Sequence, residues 1–308
     1  MKIVSLLPSA TEILCALGLR SELVAVSHEC DYPTDVAALP RITSSHLREG
    51  LSAKAIDRAV VDAVLKGEAL YRVDGDLLAD LNPDLIVTQG VCDVCAVNQD
   101  TVAESLKFVT DVVPQDVQIL SLSGRSVAGV WRDIQQVAEA VGVRSTGQAV
   151  VEELRDRWHA LVAQPAPNPQ PRVMMLEWPD PPFYGGHWVP EQVHAAGGVS
   201  VLGSEGQDSK RCTWDEIAAA DPDVIFVMAC GYDLEQNIDH AEALGQNSEA
   251  SRVRAVRTGN VWACDANSYF SRPAPRLVDG ARIIQQVLHG ETPPADRALR
   301  VMTGVARV

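Results

Sequence analysis

The sequence predicts an α/β protein with two similar lobes. Residues 76–87 (DLLADLNPDLIV) and 215–226 (DEIAAADPDVIF) follow one pattern, and the two segments begin 139 residues apart in a chain of 308. Predicted strands alternate with predicted helices, which favours mainly parallel sheets with crossover helices. Apolar residues make up 46% of the chain, enough to fill two cores. Two lobes imply a cleft between them, where small ligands usually bind.

Each copy of the repeat predicts a short helix followed by a strand. The helix is expected to end before Pro83 or Pro222, because proline lacks an N–H and restricts the residue before it. The apolar residues after Pro-Asp then predict the strand.

The remaining elements of the first half follow from local signals. Ser9 and Glu12 have the spacing of a capping box, which predicts a helix from this point to Leu17, with Gly18 as its C-cap. A further helix is expected over residues 51–70. Strands are expected at residues 3–7, 23–27, 85–88 and 117–122.

Two helices are predicted in the middle of the chain. Apolar residues over 127–141 recur at the spacing of one helix face, and Gly142 ends the pattern. A second helix over 145–163 is ended by a run of prolines. We expect this second helix to join the lobes, since a helix is a stiffer link than a loop. The predicted division is an N-terminal lobe at 1–125, a helical linker at 126–170 and a C-terminal lobe at 171–308.

The second half is expected to repeat the α/β pattern around two polar loops. The first loop, residues 179–188, contains Gly185-Gly186, which would let the backbone approach a ligand closely. Strands are expected at 172–178, 224–227 and 261–263, loops at 179–188 and 265–272, and helices at 189–196 and 275–289.

Charge and composition exclude several function classes. The formal net charge of −15 argues against nucleic acid and against anionic membrane surfaces as partners. No apolar run reaches the roughly 18 residues of a membrane span. Pro8 and Glu12 interrupt the apolar start, so we interpret it as a strand and not as a signal peptide. With seven cysteines and no export signal, reduced thiols and a cytoplasmic location are expected for the chain as written, and a periplasmic or extracellular location if its N-terminus is truncated.

Several short motifs, in a fixed order along the chain, resemble those of one protein family. They are Leu7-Pro-Ser-Ala-Thr-Glu12, Asp31-Tyr-Pro33, Leu81-Asn-Pro-Asp-Leu-Ile86, Pro181-Pro-Phe183, Ala196-Gly-Gly198 and Ser271-Arg-Pro-Ala-Pro-Arg276. The chain resembles the cobalamin-binding branch of the class III substrate-binding proteins, which serve ABC importers of vitamins and siderophores. The resemblance implies two Rossmann-like lobes joined by one long helix. It also implies a non-catalytic protein that holds a corrinoid, or a related metal chelate, between the lobes for a permease partner.

The resemblance and the loop positions together suggest the site residues. Phe183 and Arg272 match the family's corrin contacts, whereas Gln89 stands where an aromatic residue is expected. The full set of expected ligand-binding residues is Pro8, Ser9, Tyr32, Gln89, Phe183, Tyr184, His187, Trp188, Tyr269 and Arg272. The resemblance also implies that Asp76 and Asp215 dock on permease arginines, with helix capping as the alternative role for these acids.

A second interpretation is based on metal-capable side chains at predicted strand ends. Thiolates and imidazoles are ligands that zinc, iron and cobalt accept. The candidates are His28, Cys30, Cys92, Cys95 and His187. The C-x-x-C pair could be two buried thiols, a metal or corrinoid-cobalt contact, or a redox dithiol. The alternative function is therefore a cytoplasmic zinc- or iron-binding protein, or an enzyme, on the same fold.

Overall fold

The structure is a computed structural model that describes residues 1–47, 50–66, 70–90 and 117–301. The chain divides into two compact units. The first contains residues 1–124 and 128–152, and the second contains 125–127 and 153–308. The lobe boundaries expected at 125 and 170 remain a prediction.

A parallel sheet lies at the centre of the first unit. Its described elements are β1 (Ile3–Ser5), α1 (Pro8–Ala16), β2 (Leu23–Val26), β3 (Thr43–Ser45), α2 (Ala53–Lys66), β4 (Tyr71–Val73), α3 (Gly75–Leu81), β5 (Leu85–Gln89) and β6 (Gln118–Leu122). The order of strands in this sheet is β2-β1-β5-β6, and every neighbouring pair is parallel. The strands β3 and β4 form a separate two-stranded antiparallel sheet. Val4, Ile42, Leu78 and Ile86 are among the buried side chains of its core.

Two helices follow, α4 (Val127–Ala140) and α5 (Arg144–Val162). Gly142 lies between them with a φ of 76°, in the left-handed region that glycine tolerates. The division between the two units falls within α5, between Glu152 and Glu153. None of the helices in the described ranges is both long enough and apolar enough to cross a membrane.

The second unit is built on a mixed sheet. Its described elements are β7 (Arg172–Pro179), β8 (Pro182–Tyr184), α6 (Val189–Ala195), β9 (Val199–Ser200), β10 (Lys210–Arg211), α7 (Trp214–Ala220), β11 (Val224–Val227), α8 (Leu234–Leu244), α9 (Arg254–Arg257), β12 (Val261–Cys264), α10 (Ala266–Tyr269), α11 (Leu277–Leu288) and β13 (Ala298–Val301). The order is β10-β8-β7-β11-β12-β13, and β9 also pairs with β7. The central strands β7, β11 and β12 are parallel, so the predicted α/β class is confirmed.

The sequence repeat is also a repeat of structure. The helices α3 and α7 end at Asn82 and Asp221, which have φ values of 45° and 42°. Asparagine and aspartate are the non-glycine residues that adopt this left-handed conformation most readily. The proline after each of them prevents the helix from continuing, as predicted.

The aspartate after each proline fixes the first strand of its unit. Asp84 Oδ2 accepts a hydrogen bond from the Lys2 backbone N–H at 2.7 Å, and Asp223 Oδ2 accepts one from the Arg172 N–H at 2.7 Å. The strand registers match as well, since Leu85 pairs with Ile3 and Val224 pairs with Val173. Each repeat copy therefore positions a strand beside the first strand of its own unit.

Three local predictions are wrong. Ser9 does not cap α1: Leu7 is the N-cap and Pro8 is the first helical residue, since its missing N–H needs no partner there. The segment 179–188 contains β8, which pairs with β7, and the segment 265–272 contains α10. Both were expected to be loops throughout.

The capping role considered for Asp76 and Asp215 is also wrong. The N-cap of α3 is Asp74, whose side chain accepts from the Leu77 N–H, and the N-cap of α7 is Thr213. Asp76 and Asp215 are each the second helical residue, and both are exposed.

Candidate functional site

An aromatic stack lies at the carboxyl ends of the parallel strands of the second unit. Trp178 is the penultimate residue of β7, and Tyr232 follows the end of β11. Their ring centroids are 5.5 Å apart and the ring planes differ by 19°, which is a stacked arrangement. His240 on α8 lies against Tyr232 at 4.9 Å. Ligands of open α/β sheets bind at this end of the strands.

The stack combines apolar area with partial exposure. Both Trp178 and Tyr232 are half-buried. Burial raises the pKa of the Tyr232 hydroxyl, and burial lowers the pKa of His240 against an opposing effect of Asp239. Tyr232 therefore lies between Trp178 on one side and His240 on the other. We use the name aromatic platform for Trp178 and Tyr232.

The predicted site residue Phe183 lies on an adjacent hairpin. It pairs with Arg211 across β8 and β10, and the Arg211 guanidinium carbon lies 5.4 Å from the Phe183 ring centroid. A cation over an aromatic face is an attractive contact. Tyr184 pairs with Lys210, and burial raises its pKa. The paired strands β8 and β10 thus place aromatic residues of one strand opposite basic residues of the other.

His187 is held inside the second unit by several contacts. Its backbone has a φ of 53°, its N–H donates to the Gln207 carbonyl at 2.6 Å, and its carbonyl accepts from Gly206 at 2.8 Å. Its Nε2 lies 3.3 Å from Asp208 Oδ1, and Asp208 also pairs with Arg125 at 2.8 Å. Burial lowers the pKa of His187, and the nearby Asp208 carboxylate opposes this shift.

The two glycines before His187 serve internal packing. A Cβ on Gly186 would lie 2.4 Å from the Gln207 carbonyl oxygen and 2.5 Å from the Ser209 nitrogen. The Gly186 N–H donates to Ser209 Oγ at 3.0 Å. The close approach predicted for this backbone is therefore made by residues 207–209 of the same unit, and no ligand is needed to explain the glycines.

Trp188 and Gln192 secure the loop that carries Tyr269 and Arg272. Trp188 is buried, and its Nε1 donates to the Phe270 carbonyl at 2.9 Å. The Gln192 amide donates to the carbonyls of Tyr269 at 3.1 Å and Leu277 at 2.7 Å.

The loop that they secure carries a concentration of arginine. The guanidinium carbon of Arg276 lies 5.8 Å from the Tyr269 ring centroid, and that of Arg297, which comes from the segment before β13, lies 5.4 Å from it. Arg272 is 8% exposed. This loop therefore places positive charge in a protein whose overall charge is strongly negative.

The candidates of the first unit lie near the carboxyl ends of its strands. Ser9 is 2% exposed and its hydroxyl has no hydrogen-bond partner, whereas Tyr32 is 44% exposed. Gln89 is the last residue of β5 and is half-buried, as is Pro8 at the start of α1. Their predicted contact with a ligand remains a prediction.

The described metal candidates are bonded to other groups. His28 Nδ1 lies 2.7 Å from Thr43 Oγ1, and Cys30 Sγ lies 3.1 Å from Thr11 Oγ1. Cys92 and Cys95 lie outside the described residues. Among the residues that the structure describes, no group of three or more His, Cys, Asp or Glu side chains could hold a metal ion.

Sequence reasoning missed the aromatic platform. Trp178 is visible in the sequence as the last residue of a predicted strand, but nothing local pairs it with Tyr232, 54 positions later. The signal available was positional: Trp178 ends one predicted strand and Tyr232 follows another, and parallel strands bring their carboxyl ends to one edge of the sheet.

One protein family matches most of the chain, across both units. The model described as "Periplasmic binding protein" matches residues 3–268. The chain belongs to this family of periplasmic binding proteins. The fold suggested by the sequence motifs is therefore confirmed at the level of the family.

Individual members of the family are distant in sequence and alike in fold. The vitamin B12-binding protein of Vibrio cholerae serotype O1 is 24% identical over 282 residues, covering 90% of this chain and 85% of the relative. An uncharacterized ABC transporter substrate-binding lipoprotein of Bacillus subtilis is 20% identical over 300 residues, covering 94% and 81%. The crystal structure of the heme-binding protein HutB of Vibrio cholerae superimposes with a TM-score of 0.67 at 20% identity, covering 94% of this chain and 99% of HutB.

Proposed function

We propose that this periplasmic binding protein binds a corrinoid, or a related planar metal chelate, and delivers it to an ABC importer. The observation that carries the proposal is the aromatic platform of Trp178 and Tyr232 at the carboxyl ends of β7 and β11. Flat macrocycles have large apolar faces, and half-exposed aromatic rings are the side chains that cover such faces best.

The surroundings of the platform add polar recognition. Phe183 with Arg211, and Tyr269 with its two arginines, combine aromatic surface with guanidinium groups. Guanidinium groups hydrogen-bond well to carboxylates, phosphates and amide carbonyls. Those groups are found at the edges of corrinoids and of other tetrapyrroles.

The relatives support the corrinoid ahead of other chelates. The Vibrio cholerae relative is named for vitamin B12, and the sequence motifs that match its branch include Phe183 and Arg272. The likeness to HutB makes heme the second ligand to test. The alternative of a zinc or iron protein is not favoured by these relatives, although its residues Cys92 and Cys95 are outside the described part of the chain.

The direct test is a titration of reduced, metal-free protein with aquocobalamin, followed by the visible spectrum and by co-elution on a sizing column. We expect saturable binding with little change in the corrin bands, because His187 and Cys30 are both buried inside their units. A shifted spectrum would instead indicate a direct cobalt ligand. A parallel titration with hemin separates the two chelates.

Each outcome of that titration has a defined meaning. Saturable binding of aquocobalamin supports the corrinoid, and binding of hemin alone replaces it with heme. Binding of neither probe would contradict the proposal as a whole.

Delivery to an importer would use the exposed acids of the two repeat copies. Asp76 and Asp215 occupy the same position of equivalent helices, and the side chain of Asp215 is 78% exposed while it pairs with Arg252 at 2.7 Å. We propose that both acids dock on basic residues of a permease, as the resemblance implies. Such a role requires the chain to work outside the cytoplasmic membrane, so its recovery from the cytoplasmic fraction alone would contradict it.

Replacement of both acids by alanine is expected to reduce cobalamin uptake at least tenfold in cells that depend on this chain, because two charge-assisted contacts are removed at once. The affinity of the purified variant for aquocobalamin should stay unchanged. The matched control replaces two other exposed helical acids, Asp80 and Asp156, and should leave uptake intact. Normal uptake by the Asp76→Ala, Asp215→Ala protein would refute the docking role.

A further inference from the structure

Asn237, on α8, is a fully buried polar side chain beneath the aromatic platform, with 0% of its surface exposed. Its Oδ1 accepts a hydrogen bond from the Ala229 N–H at 2.9 Å. Its Nδ2 donates to the Cys264 carbonyl at 2.9 Å and to the Tyr232 carbonyl at 3.3 Å. One buried amide therefore satisfies hydrogen bonds of three backbone groups.

These three backbone groups define the part of the sheet that Asn237 holds. Ala229 is the second residue after β11 and Cys264 is the last residue of β12, so the amide ties together the carboxyl ends of two neighbouring parallel strands. Tyr232 belongs to the turn that follows β11. Asn237 thus connects the carboxyl ends of β11 and β12 to Tyr232, the residue that stacks on Trp178.

A second asparagine holds the same turn from α10. The Asn267 backbone N–H donates to the Tyr232 carbonyl at 3.2 Å, and its Nδ2 donates to the Gly231 carbonyl at 3.2 Å. Gly231 has a φ of 85°, a conformation that other residues rarely adopt. The Tyr232 carbonyl accepts from both asparagines, so the backbone of the platform is fixed from two elements.

We propose that Asn237 and Asn267 are positioning residues that hold Tyr232 against Trp178 before a ligand arrives. The inference rests on the proposed function, since its consequence is measured as affinity for a planar chelate. A preformed platform binds more tightly because less conformational freedom is lost on binding. An amide suits the Asn237 position because it supplies an acceptor and two donors on one short, uncharged side chain.

The first test is Asn237→Asp, measured as aquocobalamin affinity across a pH series. The carboxylate keeps the acceptor for Ala229 but loses both donations, and it adds a buried charge. We expect affinity about tenfold weaker than wild type near neutral pH. The ratio of variant to wild-type affinity should recover toward one as the pH falls, because a protonated carboxyl can donate again and burial raises its pKa. Asp233 and His240 lie at or on the helix of Asn237 and Asp265 follows Cys264; all three are present in both proteins, so a pH dependence that they produce by themselves appears in wild type as well.

The second test is Asn267→Ala, which removes a half-buried side chain and leaves the strands untouched. We expect aquocobalamin affinity to fall about threefold to tenfold with little change in Tm. The matched control is Asn260→Ala. Asn260 also donates to a backbone carbonyl, that of Asp223 at 2.7 Å, but at the amino ends of β11 and β12. This control should leave affinity unchanged.

Hydrogen exchange without ligand separates this inference from the proposed function. The amides of residues 230–233 should exchange faster in both the Asn237→Asp and Asn267→Ala variants than in wild type or in Asn260→Ala. If wild type binds neither aquocobalamin nor hemin while these amides respond as expected, the ligand proposal fails and the positioning role stands. Exchange and affinity that match wild type in both variants would overturn the positioning role.

Discussion

Replacement of Tyr232 by alanine is expected to weaken aquocobalamin binding by about 30-fold, or about 2 kcal/mol. The ring is half of the aromatic platform, and its removal also leaves the face of Trp178 without its stacked neighbour. Trp178→Ala should cost at least as much, because the indole is larger. Isothermal titration with the same protein preparations gives both affinities and the stoichiometry.

Two variants show whether the aromatic ring itself matters. Tyr232→Phe keeps the ring and should bind within about threefold of wild type. Tyr71→Ala removes another partly exposed tyrosine, 42% exposed, from the first unit and should have no effect on affinity. Wild-type affinity in the Tyr232→Ala protein would remove the platform from the binding site.

Gly186→Ala is expected to reduce the free energy of unfolding by about 3 kcal/mol. The added methyl group would lie within 2.5 Å of backbone atoms of residues 207–209, which cannot move aside as a flexible side chain would. The segment would have to shift together with its hydrogen bonds to Gly186 and His187. Urea denaturation followed by far-UV circular dichroism measures the loss.

The control for that variant is Gly290→Ala. Gly290 has a φ of 76°, and a Cβ added there would meet no atom within 4 Å, so it isolates the cost of the left-handed backbone. We expect a loss of about 1 kcal/mol there. A Gly186→Ala protein that is no less stable than the Gly290→Ala protein would show that the 207–209 segment adapts freely.

The parts of the fold that depend on local sequence could be predicted. Apolar spacing identified α4 and α5, and the two Pro-Asp pairs identified the ends of α3 and α7 and the starts of β5 and β11. These signals act over a few residues, since helix periodicity and proline geometry are properties of a short segment.

The parts of the fold that depend on contacts between distant residues could not be predicted from the sequence. Nothing near Gly186 shows that residues 207–209 will pack against it, so the two glycines suggested a ligand. Likewise, β8 is defined by pairing with β7 and β10. The Ser9 error had a local cause, because Pro8 competes for the helix start and takes it.

The residues of the candidate site were also only partly predictable from the sequence. Phe183 and Arg272 could be chosen from short motifs, and both lie on segments that follow strands of the second unit. Trp178 and Tyr232 could not be paired, because stacking across β7 and β11 depends on the sheet order. The metal hypothesis grouped residues by their positions after strands, whereas His28 and Cys30 are bonded to threonines in the structure.

The strands β1 and β7 begin at equivalent places in the two units and are preceded or opened by a basic residue. Lys2 Nζ donates to the Leu81 carbonyl at 3.0 Å, and the Arg172 guanidinium donates to the Ala220 carbonyl at 2.7 Å and 3.1 Å. An ammonium and a guanidinium thus interact with the carboxyl ends of corresponding helices, from Lys2 directly before β1 and from Arg172 at the start of β7. The lysine ammonium and the arginine guanidinium differ chemically, yet each donates a charged hydrogen bond to a carbonyl at the end of the corresponding helix. The two units therefore share a hydrogen-bond arrangement at positions where their residues differ.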